Sequence, residues 1–219
     1  MQLPGSLELL EGAERGLGIA RFLAVERPAV LLGRRQQATV LDLRSAGRLG
    51  WDILQRITPG GLVYMDRAAI CLELVLPASH SDFTPDVVAA TRWFGGLFVR
   101  ALHAIGVKAE LAPANSPPAA GLAAQACFAS WVRGEVLVEG RKVFGTAQYR
   151  RRGGALFQGV GLITGSHGRV AAVLPGEEQA RREAAAVIER MSAPVGMPAQ
   201  GALEDEIRRS VARAGIRLA

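Results

Sequence analysis

Val138-Glu139-Gly140-Arg141-Lys142-Val143-Phe144-Gly145-Thr146-Ala147-Gln148 is the stretch that decides how this chain is read. Glu139-Gly140 is a tight-turn pair, and the residues after it have the aromatic and β-branched content of a strand. Side chains on a strand alternate between faces. Strict alternation places Lys142, Phe144, Thr146 and Gln148 on one side, and Val143, Ala147 and Tyr149 on the other. The second face reads as core. The first sets an ammonium, a hydroxyl and an amide around one aromatic ring. Gly145 leaves room for a close approach to the backbone. From this pattern alone, Lys142 is either a solvated residue of an edge strand or a functional cation.

Working outward, residues 124–163 read as an antiparallel meander. It opens at Ala126-Cys127-Phe128, continues through a strand at 135–138, turns at Glu139-Gly140 and again at Gly153-Gly154, and ends in a strand at 155–163. Upstream, residues 85–105 form the strongest helix pattern. Thr84 is its N-cap, Pro85 its first residue, and Val87, Ala90, Phe94, Leu97, Ala101 and Ile105 its apolar stripe. Further helices are expected at 14–25, 42–50, 177–191 and 203–214, with a linker at 194–201. Strands are expected at 29–32, 53–57 and 107–111, and a hairpin from 62–66 to 69–76. Loops fall at 58–61 and 113–121. Strands and helices mix without strict βαβ alternation. The fold class is therefore α+β, a mixed and largely antiparallel sheet flanked by helices, in one domain over 1–219.

Composition narrows the function. The chain is 49% hydrophobic and 21% charged, which allows a sizeable core and argues against disorder. Lys and Arg outnumber Asp and Glu 26 to 20, and the resulting charge of +6 favours an acidic partner. The charge is spread out, with one dense cluster at Arg150, Arg151 and Arg152. No aromatic residues interleave with basic ones, so no nucleic-acid partner is expected. Cys71 and Cys127 cannot build a disulfide scaffold. No signal peptide and no membrane-spanning apolar run is read, so no membrane partner and a cytoplasmic, reducing location are expected. His80, His103 and His167 are scattered without metal-ligand spacing, so no metal is expected. No serine sits in a Gly-x-Ser-x-Gly setting, and Gly159-Val160-Gly161 lacks the context of a dinucleotide loop.

The stretch from Gly140 to Gln148 closely resembles the catalytic-lysine strand of lipoate–protein ligases and the related octanoyltransferases. Their pattern is a Gly, a basic residue, the Lys, two apolar residues and Gly-Ser-Ala-Gln, and only Thr146 differs here. Other matches follow in chain order. Leu31-Leu32-Gly33-Arg34-Arg35-Gln36 is similar to the family's early strand ending in Gly-x-x-Gln. Arg56-Ile57-Thr58-Pro59-Gly60-Gly61-Leu62-Val63-Tyr64-Met65-Asp66 is similar to its glycine-rich loop. The resemblance spans roughly residues 31–163 and implies the biotin/lipoate protein ligase-like fold. It implies that Lys142 sits beside an acyl carbonyl or acyl-adenylate, where a fixed cation offsets charge on a tetrahedral intermediate. It also implies substrate-binding roles for Arg56, Thr58, Gly60, Gly61, Gly145, Thr146, Ala147 and Gln148.

Cys127 precedes Phe128 and lies upstream of Lys142, as the nucleophilic cysteine of the octanoyltransferase branch does. A thiolate beside Lys142 could carry an acyl thioester; the alternative is a buried structural cysteine. Cys71, between Ile70 and Leu72, reads as core. The sequence also departs from the family. Gln55 stands where its first loop Arg is, Pro59 replaces a Gly and removes a backbone donor, Met65 replaces a His, and Gly159 replaces a His found in many relatives.

The leading reading is transfer of an octanoyl or lipoyl group from a donor to a lysine of an acidic lipoyl carrier domain. Cys127 and Lys142 would be catalytic, and no cofactor would be needed. The alternatives are an ATP- and Mg-dependent lipoate–protein ligase with an inert Cys127, and a catalytically degenerate accessory subunit. Arg150–Arg152 is a solvated turn or part of the carrier's docking surface.

Overall fold

The computed structural model describes residues 5–196 and 200–219. Its centre is a seven-stranded sheet built around the meander. Strands β5 (Ala69–Pro77), β9 (Gly154–Leu162) and β8 (Arg141–Arg151) are antiparallel neighbours. β1 (Ile19–Phe22) and β10 (Arg217–Leu218) extend one edge, and β7 (Val136–Val138) and β6 (Ala109–Leu111) the other. β2 (Ala29–Leu32) forms a separate three-stranded sheet between β3 (Asp52–Gln55) and β4 (Val63–Met65).

Every residue of β5 is buried, as a strand covered on both faces must be. One face packs under helix α3 (Val87–Ala104) and helix α5 (Gln200–Arg213). Phe94, Leu97, Phe98, Ala101 and Leu102 of α3 are buried there. Phe98 stacks on Phe144 at 4.5 Å between ring centroids. The other face meets the small sheet, helix α4 (Glu178–Met191) and short 3-10 turns at Gly121–Gln125, Cys127–Ala129 and His167–Val173. Helix α1 (Ser6–Glu14) covers a smaller cluster of Leu9, Leu10, Val75 and Leu156. Helix α2 (Leu43–Leu49) is capped by Asp42, whose side chain accepts from Ser45 N, and by Gly50 in the left-handed region.

The structure corrects several sequence expectations. The helix expected at 14–25 lies at Ser6–Glu14 instead, because Gly16 adopts φ 77° beyond its end and Ile19–Phe22 is taken up by pairing with β5. α3 begins after Asp86, which accepts from Val88 N and Ala89 N, while Thr84 accepts from Asp86 N and so lies too early in the chain to cap it. The hairpin expected from 62–66 to 69–76 does not form. β4 pairs with β2 and β5 with β1 and β9, and the corner is tied by Asp66 accepting from Ala68 N and Tyr64 Oη. The opening strand of the meander is instead a pair of 3-10 turns, with Cys127 N donating to Leu62 O at 2.9 Å. Part of the expected linker, residues 197–199, lies outside the described residues. Among the described residues no helix is long and apolar enough to cross a membrane.

Candidate active site

The faces of β8 do not follow strict alternation. Opposite β7, Val136 pairs with Phe144 but Leu137 pairs with Lys142, so Val143 is an extra residue in β8. Such a bulge changes which face the neighbouring side chains take. Val143 and Phe144 both enter the cluster under α3. Lys142 turns to the opposite face, where its Cε would lie 3.2 Å from a Cβ placed on Gly145. Thr146 and Gln148 are therefore not on its side, contrary to the alternation read from sequence. Gln148 bonds to Val87 O and Thr91 Oγ1 of α3, away from Lys142.

Lys142 is 1% exposed, so it is not a solvated edge residue. Its Nζ lies 2.8 Å from Glu135 Oε2 and donates to Cys127 O at 2.9 Å and Ser130 O at 3.2 Å, with Cys127 Sγ at 3.4 Å. Glu135 is equally enclosed. Its Oε1 accepts from Thr146 N and its Oε2 from Val132 N, both at 3.0 Å. A buried ion pair persists only when its remaining hydrogen-bonding groups are satisfied, and here they are. Burial pulls the lysine down, but its interactions with the Cys127 sulfur and the Glu135 carboxylate outweigh it and hold Lys142 above its ordinary value. Glu135 carries no motif and was not singled out from sequence. The one available signal was an acidic residue at the head of an otherwise apolar strand.

Phe128 lies under this cluster, with Lys142 Nζ 4.9 Å from its ring centre. His167, dismissed as scattered in the sequence reading, stacks on Phe128 at 3.4 Å. Burial first, then the Lys142 charge, holds it well below the usual histidine range, so the ring is neutral.

Beside this cluster a pocket opens between the two sheets, lined by residues of both. Cys127 and Gly145 lie at the Lys142 side. Leu31, Val63 and Met65 of the small sheet face Cys71, Val160 and Leu72 of the large one. Cys71 is buried core, as expected, and also lines the pocket, with its sulfur 3.3 Å from Met65 Sδ. Beside this apolar floor runs a polar row that sequence reasoning missed. Gln158 Nε2 donates to Glu73 Oε1, which also accepts from Ser6 Oγ, both at 2.6 Å. Arg21 Nε holds Glu73 Oε2 at 2.9 Å.

Of the residues expected to bind substrate, Arg56, Gly60, Gly145, Thr146 and Ala147 line the pocket together with Cys127. Thr58 is wholly buried and donates to Gln158 Oε1. Gly61 sits one residue behind the lining, where its carbonyl accepts from Arg56 Nη2 at 2.9 Å. The same guanidinium also donates to Pro59 O at 3.3 Å and to Leu31 O at 3.4 Å. Arg56 is thus occupied in shaping the loop. Arg150 is likewise taken up locally, by Gln148 Oε1 and Thr84 O.

Comparison with known proteins gives this geometry a context. The family model described as the lipoyl protein ligase A/B catalytic domain matches residues 9–195. The octanoyltransferase LipM of Kyrpidia tusciae is 31% identical over 147 residues, covering 65% of this chain and 53% of that protein. The chain therefore spans about half the length of this curated relative. Among solved structures, a bipartite lipoate protein ligase from Thermoplasma acidophilum aligns with a TM-score of 0.75 at 22% identity, over 100% of this chain and 83% of that one. A lipoate-protein ligase A bound with ATP aligns at 0.72 and 20% identity, over 97% of this chain and 81% of that one. At these identities the structural likeness concerns the fold alone, which is that of the lipoate ligases.

Proposed function

Since the chain belongs to the lipoyl protein ligase A/B catalytic domain family, we propose that it transfers an octanoyl or lipoyl group to a lysine of a lipoyl carrier domain through a thioester on Cys127. One observation carries this reading: Cys127 lines the pocket and its sulfur lies 3.4 Å from a buried ammonium. Cys127 gives up its thiol proton to solvent, its sulfur attacks the donor's acyl carbon, and the donor's own C–S bond breaks, its thiolate leaving with a proton from solvent. The carrier's neutral lysine amine then attacks the Cys127 thioester. The new C–N bond forms, the C–S bond breaks, and the amine loses a proton to solvent. Lys142 stabilises negative charge on the sulfur, which is nucleophile in the first step and leaving group in the second.

The pocket supports the acyl class. Gly145, Val160 and Cys71 are neighbours across β8, β9 and β5. Two strand spacings, ~10 Å, are about the length of an extended octanoyl chain. The lining of Leu31, Val63, Met65 and Val160 removes that chain from water.

The ligase alternative would need ATP and magnesium. The loop fits a triphosphate poorly, because Pro59 has no N–H to offer and the Arg56 guanidinium is taken by three backbone carbonyls. The carrier is proposed to be acidic, to complement the +6 charge of this chain. One catalytic domain over 1–219 and a cytoplasmic setting complete the reading.

The test is direct. The protein is incubated either with an octanoyl acyl-carrier thioester or with lipoate, ATP and magnesium, and followed by intact mass. Loading from the thioester, labile to hydroxylamine, is expected. Modification of a lipoyl domain only in the presence of ATP would replace this reading with the ligase. No product from either donor would favour the accessory subunit.

A further inference from the structure

We infer that Glu135 is a positioning residue that guards the acyl-enzyme: it holds Lys142 as an ammonium and so prevents the lysine from taking the acyl group from Cys127. The inference rests on the thioester reading above and asks what must follow from it. Lys142 Nζ is 3.4 Å from the sulfur that would carry the acyl group. The acyl carbon is bonded to that sulfur, so rotation about the C–S bond brings it within reach of near-attack distance, ~3–3.5 Å, from the nitrogen. A neutral amine there would react. Its nitrogen would bond to the acyl carbon, the C–S bond would break, and one amine proton would pass to the sulfur. The product, an amide on Lys142, cannot deliver its acyl group to a carrier and ends turnover. An ammonium has no lone pair, so its protonation state decides between relay and self-inactivation.

Two groups favour the ammonium in the free enzyme, the Cys127 sulfur and the Glu135 carboxylate. Acylation removes the first as a source of negative charge at the very moment the amine becomes dangerous. The other ionisable groups around the cluster give no replacement. Arg56 is cationic, and His167 is buried and neutral. The carbonyls of Cys127 and Ser130 orient the ammonium but carry no net charge. Glu135 is then the remaining counter-charge among the described residues that act on Lys142. Its own place is over-determined. Thr146 N and Val132 N donate to its two oxygens, which ties it across the bulge that turns Lys142 toward Cys127. A carboxylate fixed by two backbone donors 2.8 Å from the ammonium is built to keep that proton in place.

The test compares wild type with Glu135→Gln, which keeps the shape and removes the charge. Both are loaded with octanoyl acyl-carrier thioester, treated with hydroxylamine and mapped by peptide mass. Wild type should carry a hydroxylamine-labile group on Cys127. The variant should convert it to a hydroxylamine-resistant octanoyl amide on Lys142. Loss of the carboxylate raises the neutral-amine fraction, so the amide should accumulate about ten-fold over wild type. The alkaline limb of the transfer profile should move toward neutral pH in the variant and return with Glu135→Asp, a response that mere loss of packing would not produce. A stable Cys127 thioester in both proteins, with no Lys142 amide, would overturn the inference and leave the relay standing. Absence of any thioester in wild type would remove the relay reading itself, and the inference with it. If the Gln variant fails to fold, loaded wild type taken stepwise to alkaline pH reads the same balance: amide should appear only as the pH becomes strongly alkaline, and amide formed near neutrality would overturn the proposal.

Discussion

Lys142 and Cys127 meet twice. The lysine's Nζ is 2.9 Å from the carbonyl oxygen of Cys127 and 3.4 Å from its sulfur. The first contact fixes the 3-10 turn that carries the cysteine, and the second places a cation beside its reactive atom. One side chain thus positions the proposed nucleophile and sets its electrostatics.

This relationship predicts the outcome of removing either partner. Cys127→Ala should abolish hydroxylamine-labile loading, and Cys127→Ser should impair transfer strongly. Lys142→Met should lower the rate of transfer about 10²–10³-fold, the usual cost of removing one preorganised electrostatic group. Acyl-transfer assays with the octanoyl thioester check this. Full activity in Cys127→Ala would end the thioester reading.

The pH dependence follows from Lys142 being held above 10.5, its ordinary value. A raised lysine contributes stability that is fully present below the unfolded value and is lost as pH rises through the folded one. The melting-temperature gap between wild type and Lys142→Met should therefore stay constant through the neutral range and narrow only above ~10.4. Transfer activity should likewise show no lysine-type fall below that value. A gap that closes near neutrality would mean that the ion pair does not hold in solution.

Cys71 and Cys127 should differ in reactivity. Burial pushes the Cys71 thiol up to about 12, and the residue is 5% exposed. Iodoacetamide at neutral pH should alkylate Cys127 in the native protein and reach Cys71 only after unfolding. Peptide mapping of the alkylated protein distinguishes the two. Rapid native labelling of Cys71 would show that the pocket opens more widely than its walls allow.

Restoring the histidine found in many relatives at Gly159 should not restore anything. A Cβ at that position would lie 2.5 Å from the Phe98 ring, on the α3 side of the sheet and away from the pocket. Gly159→His should destabilise the fold by ~1–3 kcal/mol, as overpacking does. Thermal denaturation would read this as a lower melting temperature, with no gain in transfer. An unchanged melting temperature would show that Phe94 and Phe98 repack freely.

Much of this protein was legible in its residues. The helix behind Asp86 declared itself through the spacing of Ala90, Phe94, Leu97 and Ala101, because a single apolar stripe needs only local periodicity. The meander through Lys142 was visible in its turn pairs, and the family resemblance pointed to Lys142 and Cys127 as partners. These signals are local, or are carried by short motifs, and the chain's own stereochemistry enforces them.

What the sequence by itself could not determine is which way Lys142 points. Strict alternation puts it with Thr146 and Gln148, whereas the bulge at Val143 puts it with Gly145 and Cys127. A bulge is decided by pairing across strands, here by the register of β7 against β8 and by Glu135 capturing Thr146 N. The same holds for the Glu73–Gln158 contact and for the separation of β4 from β5 into two sheets. Each joins residues far apart in the chain. Burial makes such partners obligatory, since a charged or amide side chain taken out of water must find its counterpart wherever the fold delivers it. Sequence determined which residues could do the chemistry, and tertiary structure decided which of them face one another.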